Sequence, residues 1–153
     1  DIYDYARKTA VVLRVLLWSA LLPMLGLFVI APWLMPLLYG AEYALSGPVV
    51  QAILPGIWFG LIYKILNSDL AGRGQPLAAL WVYAVTLVVN VVLNILWIPL
   101  YGPIGSAWAS SISYALGALT FAAVYARMSQ ISLRELFVPS LTDFRRLFRQ
   151  MES

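Results

Sequence analysis

Four long apolar stretches, joined by short polar turns, leave this chain few ways to fold. A helix rises about 1.5 Å per residue, so about 20 apolar residues cross a hydrocarbon core about 30 Å thick. In lipid only a helix or a closed barrel satisfies its own backbone. The stretches run from about 10 to 38, 45 to 66, 77 to 100 and 105 to 125. Of 153 residues, 62% are apolar and 11% charged, where soluble domains carry about 25% charged residues. The polar remainder is too small to coat a globule in water. The sequence therefore predicts an all-α integral membrane helical bundle. Residues 1–127 form four transmembrane helices and 128–153 a cytoplasmic amphipathic tail.

Orientation follows from the cations, which collect in cytoplasmic loops. Arg7, Lys8 and Arg14 lie at the start of the first stretch, and Lys64 and Arg73 lie between the second and third. Arg127, Arg134, Arg145, Arg146 and Arg149 follow the fourth, so all ten Lys and Arg fall on one side. Both ends are predicted to be cytoplasmic. Trp33, Tyr39, Tyr43, Trp97 and Tyr101 form an aromatic belt on the other side. The first stretch is long for a straight crossing, and Pro23, Gly26, Pro32 and Pro36 offer places to bend. In the tail, Leu141, Phe144, Leu147, Phe148 and Met151 recur at helical spacing opposite Arg145, Arg146 and Arg149. An amphipathic interfacial helix is expected there, capped by Ser140 and set off by Pro139. Residues 1–9 read as the end of something longer, so the chain is expected to be a segment of a larger carrier.

Several chemistries are missing. No Cys and no His are present, which removes disulfides, imidazole bases and the usual zinc ligands. Basic residues beside apolar spans read as topology signals, so nucleic acid is not an expected partner. Glu42 and Asp69, the carboxylates nearest the spans, belong to opposite membrane faces and form no catalytic pair. No catalytic residue, cofactor or metal site is assigned, and an enzyme is not expected.

The polar residues within the spans point elsewhere. Asn90 and Asn94 stand four apart on one helix face, and an amide in hydrocarbon must find a hydrogen bond. They are either an interhelical clamp or the polar lining of a transport cavity. Gln51 adds a third amide within the spans, and Gly105, Ala109, Ser113 and Gly117 form a small-residue stripe for close helix approach. Arg14, Lys64 and Arg73 gather near the cytoplasmic mouth, where they either attract a phosphate headgroup or snorkel to anionic lipid.

Three local patterns complete the reading. Leu38-Tyr39-Gly40-Ala41-Glu42-Tyr43 closes the first span, and Ala71-Gly72-Arg73-Gly74-Gln75-Pro76 precedes the third. Asn90-Val91-Val92-Leu93-Asn94 leads into Ile98-Pro99-Leu100-Tyr101-Gly102-Pro103-Ile104-Gly105-Ser106-Ala107. Their order resembles the C-terminal region of bacterial polysaccharide (lipid-linked oligosaccharide) flippases of the multidrug/oligosaccharidyl-lipid/polysaccharide exporter superfamily. The resemblance implies two bundles around a central cavity, with this chain as the last four helices of the second. It further implies alternating access in a bacterial inner membrane and a lipid-linked glycan substrate. The partners are then membrane lipid and the preceding helices of the same transporter. On that basis Arg14, Lys64, Arg73, Asn90 and Asn94 are the expected headgroup path. The alternatives are a cation-coupled multidrug exporter of the same superfamily and a small non-transporting membrane scaffold.

Overall fold

The computed structural model describes residues 2–75, 77 and 80–139, and among them every regular element is helical. Among the described residues, three helices are long and apolar enough to cross a membrane. The first, α1, runs Ile2–Tyr39 and remains helical through Pro23, Pro32 and Pro36. A 3₁₀ turn, Ala41–Tyr43, leads into α2, Ser46–Gly72. The third, α3, runs Leu80–Met128, and a short α4 follows at Leu133–Phe137. The tail helix expected from Leu141, with its cap at Ser140, lies outside the described residues.

The third helix is not straight. Gly102 carries φ 59° and ψ −139°, a backbone geometry that suits glycine, and Pro103 follows it. Asn90 Nδ2 donates to Ser110 Oγ at 3.3 Å, although twenty residues of continuous helix would hold them about 30 Å apart. A Cβ on Gly105 would lie 2.5 Å from the Trp97 carbonyl oxygen, and one on Gly117 would collide with Thr86. The chain therefore doubles back at Gly102 into two antiparallel legs, 80–101 and 103–128. The stripe of Gly105, Ala109, Ser113 and Gly117, all buried, is the face that permits this closeness.

Helix ends use glycine and hydrogen-bonded turns. At the end of α2, Gln75 N–H donates to the Leu70 carbonyl and Gly74 N–H to that of Ala71, with Gly74 at φ +75°. This is a Schellman stop. The end of α3 repeats it, with Ile131 N–H to Ala126, Gln130 N–H to Arg127 and Gln130 at φ 55°. At α4, Ser132 Oγ accepts from Glu135 N–H while the Glu135 carboxylate accepts from Ser132 N–H. The hydrogen bonds that the Ser132 N–H and hydroxyl donate to it hold the Glu135 carboxyl below the usual carboxylate range.

The core lies toward the end of the bundle that carries the cations. Leu13 and Leu17 of α1 meet Ile62, Leu66 and Leu70 of α2 and Phe121 and Tyr125 of α3, all fully or almost fully buried. The far half of α1 buries only Ala31, while Leu22 and Leu37 are about four-fifths exposed. So wide an apolar surface is ordinary in lipid and untenable in water.

Candidate functional site

Where α1 and α2 run side by side, the last turn of α2 presents Asp69 and its C-cap is Arg73, spaced i,i+4. They form an ion pair at 2.5 Å. Thr9 of α1 donates to Asp69 Oδ1 at 2.8 Å, and Tyr125 of α3 donates to Oδ2 at 2.6 Å. Arg73 donates in turn to Tyr125 Oη at 3.0 Å and to Ser129 Oγ at 3.2 Å, and its guanidinium lies 5.6 Å from the Tyr125 ring centre. One charged pair thus fastens α1, α2 and α3 together. Low dielectric strengthens such a network when its members are satisfied. Arg73 Nε alone is buried without a hydrogen-bond partner among the described residues.

Beside this knot a groove of about 640 Å³ runs between α1 and α2. Lys8, Thr9, Lys64, Ser68 and Asp69 line its polar end, and Val12, Leu16, Ala20, Leu61 and Ile65 form its apolar wall. Ser19 also lines it, but its hydroxyl is turned back onto the Leu16 carbonyl of its own helix. Lys8 and Lys64 are exposed, and neither has a hydrogen-bond or ion-pair partner among the described residues. Asp69 and Arg73 neutralise each other, so the groove carries the positive charge of the two lysines.

The five residues expected to meet a headgroup separate into four surroundings. Lys64 lines the groove. Arg73 stands behind it in the knot. Arg14 is buried and donates to the Glu135 backbone carbonyl. Trp18 Nε1 likewise donates to the Phe137 carbonyl at 3.3 Å, so two α1 side chains hold the carbonyls of α4, whose Leu136 is fully buried. Asn90 and Asn94 lie together on the first leg of α3, away from the groove. Asn94 Nδ2 donates to the Asn90 backbone oxygen at 2.8 Å and to its Oδ1 at 3.1 Å, and Asn90 continues to Ser110 on the second leg. Asn90 thus links the two legs of α3, and Asn94 is tied to Asn90 within the first leg. Gln51 donates to the Phe28 carbonyl at 2.8 Å, tying α2 to α1.

The sequence reading did not single out Lys8, Thr9, Tyr125 or Ser129, and it weighed Asp69 only against Glu42. Lys8 was counted as a topology charge. The Asp69–Arg73 spacing was a visible signal, whereas nothing local marks Tyr125, 56 positions from Asp69, as its donor.

An all-helical, multi-pass membrane protein is the class these features define. Among known proteins the chain is similar to the "Probable low-salt glycan biosynthesis flippase Agl15" of the archaeon Haloferax volcanii, 24% identical over 97 residues. The match covers 63% of this chain and spans 21% of that relative's length. No family model and no solved structure matches the chain.

Proposed function

We propose that this chain is part of a membrane flippase that passes a lipid-linked glycan precursor across the bilayer by alternating access. The similarity to a glycan biosynthesis flippase carries this reading. In it, α1, α2 and the two legs of α3 make four crossings, with the cation-bearing ends in the cytoplasm. The membrane is the cell's inner, energy-bearing one, and further helices of the same carrier complete the pathway. The tail beyond residue 139 lies on the cytoplasmic surface as an amphipathic helix. The glycan's phosphate meets Lys64 at the basic mouth, in the field of Arg14 and Arg73, and Asn90 and Asn94 supply amides deeper in the bundle. Lys64 is the most direct contact because its ammonium has no partner among the described residues.

In proteoliposomes of the complete carrier, Lys64→Ala is expected to slow flipping of a labelled lipid-linked oligosaccharide. The expected factor is about fivefold, from roughly 1 kcal/mol per basic residue near a membrane surface. Lys64→Arg retains most of the rate. Unchanged flipping with Lys64→Ala, Arg14→Ala and Arg73→Ala, each at normal abundance, would contradict the assignment.

A further inference from the structure

The groove between α1 and α2 has the shape and charge of a lipid site. We propose that it binds one anionic phospholipid of the surrounding bilayer. The phosphate lies between the ammonium groups of Lys8 and Lys64, and an acyl chain lies along Val12, Leu16, Leu61 and Ile65. The stretch of α1 that lines it, from Lys8 to Ala20, is about 18 Å long. Half of a hydrocarbon core is about 15 Å, so the groove matches one leaflet. Thr9 is bonded to Asp69, which sets Lys8 level with the last turn of α2 and Lys64 about 7 Å deeper. The Lys64 stem can extend along apolar surface toward the headgroups and so bring its ammonium up toward the level of Lys8.

Charge complementarity identifies the occupant. The one carboxylate in the lining, Asp69, is taken up by Arg73, Thr9 and Tyr125, which leaves both lysines available to an outside anion. The free polar groups all stand at one end and the wall beyond is apolar, so a headgroup held here stays in its leaflet instead of crossing. A lipid retained at the mouth fits that arrangement. The site shares Lys64 with the headgroup path proposed above but stands without it, because any bilayer around these two helices presents its lipids to the same groove.

Native mass spectrometry of the complete protein, released from nanodiscs of phosphatidylcholine with a small fraction of phosphatidylglycerol, tests this directly. One phosphatidylglycerol is expected to remain bound in preference to phosphatidylcholine. The double variant Lys8→Ala/Lys64→Ala is expected to lose its affinity for that lipid about 30-fold, and Lys8→Arg/Lys64→Arg is expected to keep it. Retention by the alanine pair equal to that of the unsubstituted protein would overturn the proposal. So would equal retention of diacylglycerol, which lacks the phosphate, or displacement of the lipid by inorganic phosphate alone.

Discussion

Asp69→Ala is expected to loosen the joined ends of α1, α2 and α3 and to destabilise the bundle by about 3 kcal/mol. The carboxylate accepts from Thr9 and Tyr125 and pairs with Arg73, whose side chain is only 15% exposed. Removing the acid leaves a largely buried guanidinium without its counter-charge, which costs more than the lost hydrogen bonds alone. Asp69→Asn keeps an oxygen for one hydroxyl donor and loses the charge, so its effect should be smaller. Thermal unfolding in a mild detergent, followed by near-ultraviolet circular dichroism, separates the three proteins. Equal transitions for Asp69→Ala and the unsubstituted chain would show that the knot contributes nothing to stability.

Gly56→Leu is expected to push α2 away from the second leg of α3. A Cβ at this position would lie 2.7 Å from the Ser111 Cα, a backbone atom with no rotamer to yield. Gly56 N–H also donates to Ser111 Oγ at 3.0 Å, and that hydroxyl donates onward to the Ala52 carbonyl. The overpacking is expected to cost about 3 kcal/mol. Gly60→Ala, one turn further along the same helix, is the matched control, since a Cβ there meets nothing within 4 Å. It should be neutral or slightly stabilising through helix propensity alone. The same detergent melts compare both, and similar losses at the two positions would rule out close approach at Gly56 as the cause.

The helices were legible because lipid imposes a minimum apolar length, and the runs in this chain meet it. The reversal before Pro103 was legible as a gap between two apolar runs, although the backbone remains helical on both sides of Gly102. Ser132 and Glu135 spell a capping box three residues apart, which the sequence reading passed over; the Ser140 cap it expected belongs to the tail helix, outside the described residues. The site was less legible. Arg14, Lys64 and Arg73 look alike in sequence, and only tertiary structure separates a lysine facing a groove from an arginine holding α4 and another held by Asp69. Polarity in a membrane span shows that a partner must exist. It does not name the partner, because Thr9, Asp69 and Tyr125 are brought together by three different helices.

The most direct test is the sidedness of the two ends of α3's legs, and the absence of native Cys makes it clean. Gln75→Cys, Tyr101→Cys and Gln130→Cys each place a single thiol at an exposed position, and a membrane-impermeant maleimide is applied to intact cells and to inverted vesicles. Four crossings require Tyr101→Cys to label from the face opposite to Gln75→Cys and Gln130→Cys. Labelling of all three from one face would contradict the bundle and the flippase reading built on it.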